Sequence, residues 1–176
     1  MSSEKSCGAV IFRRDGDRKY LLLQYLLLQG GHWDFVKGHV EKNESERETV
    51  LRETEEEVGI ADPNFIEGFR QPISYYYTRG GKTIYKKVIF YLIESQTDAV
   101  RLSREHVGYD WLSYNYAHER LTYKNAKETL RKAHEYLDTR VSAKSSNCPG
   151  KSFRHYAETF PPHFFDSWDE STKVEE

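Results

Sequence analysis

Residues 38 to 60 read GHVEKNESERETVLRETEEEVGI, a stretch of 23 residues of which eight are glutamate. Val50, Leu51, Thr54 and Val58 recur at helical spacing, which predicts an amphipathic helix from Glu44 to Val58. Asn43 and Glu46 have the spacing of a capping box, and Gly59 is a natural stop. At about 100° per residue, Glu53, Glu56 and Glu57 fall within roughly a 100° arc bordering the apolar face, with Glu44, Glu48 and Glu55 towards its far edge. Like charges three and four residues apart cost a few tenths of a kcal/mol per pair, on the order of what one favourable pair returns. A bound divalent cation would offset that repulsion, and hard oxygen donors favour Mg2+ or Mn2+.

The same segment resembles the signature of the Nudix hydrolases, G-x5-E-x7-R-E-U-x-E-E-x-G-U with U apolar. The match runs through Gly38, Glu44, Arg52, Glu53, Glu56, Glu57, Gly59 and Ile60; only Thr54 departs, standing where an aliphatic residue is usual. The resemblance implies phosphoanhydride hydrolysis, which needs charge neutralisation on the phosphates and an activated water. It also implies Glu53, Glu56 and Glu57 as metal ligands, completed by the backbone carbonyl of Gly38. Arg52 paired with Glu44 would brace the loop against the helix.

Outside that box, Cys7 to Arg14, His32-Trp33 and Lys37-Gly38-His39-Val40 resemble one branch of the family, the asymmetrically cleaving diadenosine tetraphosphate hydrolases. Phe35-Val36 stands where that branch carries prolines. Leu102 to His106 resembles its later loop, which implies Glu105 as a fourth carboxylate in the metal and water chemistry. Tyr75 and Tyr123 occupy the places of its base-stacking aromatics, and stacking suits two adenosines. Lys37 and His32 would contact phosphates, with Lys86 or Lys87 adding a further cation.

Working outward, residues 5 to 14 and 20 to 28 read as strands turning at Asp15-Gly16-Asp17, and Asn64 to Thr78 with Lys82 to Glu94 as a long hairpin turning at Arg79-Gly80-Gly81. A short strand, Tyr109 to Leu112, precedes a second helix from about Tyr123 to Leu137 with Ala126, Leu130, Ala133 and Leu137 on one stripe and Thr122 as its cap. Strands covered on two faces by helices give an α/β (α+β) fold, an α/β/α sandwich around a mixed sheet. That order is similar to the Nudix fold.

Residues 1–138 form the expected Nudix domain, and 139–176 a linker and an aromatic-rich tail, either mobile or docked on the domain or a partner. The net charge of −2 gives no general attraction to nucleic acid or anionic membrane, so a polyanionic substrate needs a local basic site. No apolar run is long enough to span a bilayer, and Cys7 and Cys148 lack metal-ligand spacing, which makes the cytoplasm the default compartment. These features predict a Mg2+-dependent pyrophosphohydrolase that splits diadenosine tetraphosphate into ATP and AMP. The alternatives are an RNA 5′-end pyrophosphohydrolase, disfavoured by the charge balance, and a non-catalytic nucleotide sensor, disfavoured by the retained glutamates.

Overall fold

Strict alternation along the first strand builds two cores at once. In β1 (Ser2–Asp15), Cys7, Ala9 and Ile11 enter one apolar cluster while Val10 and Phe12 enter another, as period-2 geometry requires. The computed structural model describes residues 2–26 and 31–145. Leu27 and Leu28 of the predicted second strand, Cys148 and the tail therefore lie outside the described residues.

The remaining strands are β2 (Asp17–Tyr25), β3 (Trp33–Asp34), β4 (Val36–His39), β5 (Asn64–Arg79), β6 (Lys82–Glu94) and β7 (His106–Ser113). They form one mixed sheet of seven strands, parallel between β1 and β6 and antiparallel in its other pairings. Both hairpin turns fall where glycine punctuation puts them, with Gly16, Gly80 and Gly81 at positive φ. β1 and β2 pair only near their turn, from Phe12↔Tyr20 to Asp15↔Asp17, and then diverge. β3 lines β2 and β4 lines β1 within that opening, which places residues 33–39 at the mouth of the splayed sheet.

Helix α1 (Glu46–Val58) covers one face through Val50 and Val58, packing on Cys7, Ala9, Ile11, Leu21 and Leu23. Helices α2 (Tyr114–Arg120) and α3 (Lys124–Ser145) cover the other, and α3 buries the predicted stripe Ala126, Leu130, Ala133 and Leu137 against Phe12, Leu22, Phe35 and Phe90. The α/β/α sandwich is therefore as the sequence predicts.

Several local expectations are corrected. The capping box is Ser45 with Glu48, and Asn43 instead takes a left-handed turn at φ 67°, so Glu44 precedes the helix. Leu51, on the predicted apolar face, is 38% exposed. The oxygen of Thr122 accepts from the backbone N–H of Trp33 at 2.9 Å and is not the cap of α3. The last helix also runs on to Ser145, past the boundary set at residue 138, and α2 was not foreseen.

Candidate active site

The candidate site begins where β4 meets α1. Gly38 pairs with Cys7 and faces the helix so closely that a Cβ built on it would lie 1.8 Å from Glu53 Cδ. The invariant glycine of the motif thus makes room for a carboxylate. Arg52 organises the neighbours: its Nε and Nη2 grip Glu44 at 2.8 and 3.0 Å, and Nη2 also donates to the carbonyl of His39 at 2.9 Å. Nη1 reaches Glu53 at 2.7 Å and Glu56 at 3.2 Å. Glu44 further accepts from Thr49 and from the N–H of Glu41, and the Arg52 guanidinium leads in pulling its carboxyl down to about 2. Bidentate geometry and partial burial make this brace stronger than an ordinary surface pair.

Glu57 lies deeper. Burial pushes its carboxyl up to about 8, with Lys37 opposing and the charges of Glu53 and Glu105 adding to the rise. Burial likewise raises Glu53 despite Arg52 beside it. Glu57 Oε2 is buried without a hydrogen-bond partner among the described residues, and so is His106 Nε2, 3.7 Å away. That distance is too long for a hydrogen bond. Burial also lowers the imidazole to about 4, so the pair is not an ion pair near neutrality.

The loop carrying Glu105 is pinned to the end of α1. The N–H groups of Arg101 and Ser103 donate to the carbonyls of Val58 and Glu57 at 2.9 and 3.0 Å. Glu105 itself is exposed, and Glu53 and Glu57 both sense its charge. As they stand, no three His, Cys, Asp or Glu side chains among the described residues converge on one point that could hold a metal. Arg52 draws Glu53 and Glu56 towards itself. The donor chemistry nevertheless fits a hard divalent cation: burial raises two carboxylates one helical turn apart despite Arg52 and Lys37 nearby, and one of them has an orphaned oxygen.

Beside these carboxylates lies an aromatic and cationic wall around Lys37. Lys37 Nζ bonds Asp34 at 2.9 Å and the hydroxyl of Tyr25 at 3.1 Å, and lies 4.2 Å from the Tyr25 ring centroid. Although burial opposes the charged ammonium, Asp34 and Tyr25 hold its pKa above the ordinary lysine value. His32 stacks flat on Tyr25 at 4.5 Å and 8°, and its ring is 5.2 Å from that of Tyr123. Tyr123 is 46% exposed; Tyr75 is half-buried against the α3-side core. Lys86 pairs across strands with Tyr75, and burial together with nearby Lys37 lowers its pKa. Lys87 points to the opposite face, beside Lys5 and Arg70, which favours Lys86 of the two lysines. Tyr25, Asp34 and His106 received no role from sequence reasoning, because nothing in their spacing tied them to the glutamates.

The NUDIX domain family model matches residues 4–133. The chain belongs to the Nudix family. Over 143 residues it is 40% identical to a Bis(5'-nucleosyl)-tetraphosphatase [asymmetrical] of Sus scrofa and 38% identical to that of Mus musculus, in each case across 76% of this chain and 95% of the relative. Among solved structures, a C. elegans Ap4A hydrolase binary complex superposes with a TM-score of 0.66 at 30% identity, covering 77% of this chain and 98% of that one. The Nudix glutamates of this chain are therefore those of a hydrolase family that generally uses divalent metals. No helix among the described residues is long and apolar enough to cross a membrane.

Proposed function

We propose that the chain is a Mg2+-dependent Nudix hydrolase that cleaves diadenosine tetraphosphate asymmetrically into ATP and AMP. The observation that supports this most is the juxtaposition at β4: carboxylates raised by burial, beside a lysine flanked by aromatic rings. Its relatives named as tetraphosphatases, aligned over most of their length, support the substrate class.

In this reading Glu53, Glu56 and Glu57, with Glu105 and the carbonyl of Gly38, hold the metal. When bound, that ion neutralises phosphate charge and makes water a better nucleophile. Lys37, kept protonated by Asp34 and Tyr25, holds a phosphate as a fixed cation, and Lys86 and His32 contact its neighbours. Tyr123 offers an exposed face for a base, and Tyr75 a half-buried one. Pinned to α1, the 101–105 loop keeps Glu105 within electrostatic reach of Glu57.

The test is to incubate the purified protein, with Mg2+ and separately with Mn2+, with diadenosine tetraphosphate, nucleoside diphosphate sugars and triphosphate-ended RNA, and to separate the products. Equal ATP and AMP from the dinucleotide, with much slower turnover of the others, is the expected result. Preferred cleavage of RNA ends, or nucleotide binding without turnover, would replace the proposal.

A further inference from the structure

Glu4 has no task in the site described so far, yet it is one of the most heavily bonded carboxylates in the protein. Its side chain, 14% exposed, accepts from His39 Nε2 at 2.9 Å, from the hydroxyl of Tyr77 at 2.8 Å and from Arg79 Nη2 at 2.7 Å. These three donors come from two other elements, β4 and β5.

Strand register shows what they join. Glu4 stands opposite Lys86 in the β1–β6 pair, and Lys86 stands opposite Tyr75 in the β6–β5 pair. Residues directly opposite on neighbouring strands share a face, so Glu4, Lys86 and Tyr75 form one row across the sheet. Among the described residues, pairing of β1 with β6 begins at Ser2↔Ile84, and beyond it the hairpin continues as β5 paired with β6. A two-stranded ribbon is only marginally stable by itself. Arg79 sits on that extension and Tyr77, opposite Ile84, at its root, and both are tied to Glu4.

The third arm points at the hydrolytic side. His39 directly follows Gly38, and its carbonyl accepts from Arg52 Nη2 at 2.9 Å while the same guanidinium holds Glu53. An unbroken chain of contacts thus runs from the hairpin end through Glu4 and His39 to Arg52 and the carboxylates.

We infer that Glu4 is a positioning residue for this site: it locks the β5–β6 hairpin, which carries Tyr75 and Lys86, to the β4 strand, which carries Lys37 and Gly38. It thereby sets the distance between the groups that bind the substrate and those that cleave it. The inference rests on the functional reading above, in that Tyr75 and Lys86 are taken to touch substrate. Loss of the Glu4 side chain leaves Arg52, the carboxylates and the β1–β6 pairing in place but removes the tie from Tyr77 and Arg79 to His39, so binding suffers more than the chemical step.

The experiment compares Glu4→Gln and Glu4→Ala with the wild type on diadenosine tetraphosphate, well below each variant's Tm. The expected result is a KM raised about tenfold, the scale of losing a charge-assisted contact, with kcat within about threefold. Tyr77→Phe should raise KM by about threefold alone and not at all in the Glu4→Gln background, because the two changes cut one linkage. A folded Glu4→Gln protein with wild-type KM, or additive KM effects in the double variant, would overturn the inference. If the wild type instead prefers another compound of the panel, the substrate reading falls while the same KM split on that compound still decides on Glu4. Calorimetric binding of ATP supplies the same comparison without turnover.

Discussion

Gly38 and Glu53 occupy what would be shared space: a Cβ on residue 38 would fall 1.8 Å from both Cδ and Oε1 of the glutamate. The obstructed atoms belong to the end of a flexible side chain, so the helix and the strand need not separate to relieve the clash. Gly38→Ala should therefore turn the Glu53 carboxylate out of the site, with little loss of packing. Turnover is expected to fall at least about a hundredfold while stability changes by less than about 2 kcal/mol. Kinetics beside a urea titration check this, and near-normal turnover would mean that the position of Glu53 is unimportant.

Glu57 offers a buried, unpartnered carboxylate oxygen. Mg2+ should raise the Tm of the wild type in a concentration-dependent way, by an amount equivalent to about 2.7 kcal/mol at a hundred times Kd. Glu57→Gln, which keeps the shape and removes the charge, should lose most of that shift and at least about a hundredfold in turnover. Calorimetric scans across a Mg2+ series measure the first effect without any need for activity.

Tyr123 and Tyr75 differ in burial and should differ in consequence. Tyr123→Ala is expected to cost about 1 to 3 kcal/mol of substrate binding with Tm nearly unchanged, because 46% of the residue is already exposed. Tyr75→Ala should weaken binding and also lower stability, since part of its ring packs on the α3-side core. Unchanged KM values in both variants would leave the aromatic wall without a part in binding.

Acid sensitivity should trace in part to Glu46. Arg70 grips this carboxylate at 2.8 and 2.9 Å, Lys5 and the Tyr91 hydroxyl add to it, and together they lower its pKa from 4.5 to about 2. A depressed folded-state pKa contributes stability that is complete above 4.5 and disappears as pH falls from there through about 2. Glu46→Gln should therefore remove about 1 to 3 kcal/mol at pH 7, a range reduced for solvent screening, and progressively less towards pH 2. Denaturant titrations at pH 7, 4 and 2.5 test this, and a cost that does not shrink with acid would contradict it.

Thr54, the one departure from the family signature, is fully buried with its hydroxyl unpartnered among the described residues. Thr54→Val replaces that hydroxyl by a methyl of similar size and should stabilise the protein by about 1 kcal/mol. A lower midpoint in urea would show that the hydroxyl has a partner after all.

Read alone, the sequence determined what is local or periodic. The 3.6-residue recurrence of Val50, Thr54 and Val58, the Gly59 stop and the glycine turns at residues 16 and 80–81 specify α1 and both hairpins, because backbone geometry translates directly into residue spacing. The Nudix spacing likewise brought Gly38, Arg52 and the three helix glutamates into one hypothesis. Choosing Ser45 over Asn43 as the cap was beyond it, since two side chains competed for one role and the turn geometry decided.

Only the tertiary structure set which face of the sheet each strand residue serves, so that Lys86 shares a row with Tyr75 while Lys87 lies beside Lys5 and Arg70. It alone brought Tyr25, Asp34 and His106 to Lys37 and Glu57, and tied Glu4 to His39, Tyr77 and Arg79. The physical reason is the divergence of β1 from β2. That opening admits β3 and β4 and gathers into one site residues separated by tens of positions, a relation with no period along the chain.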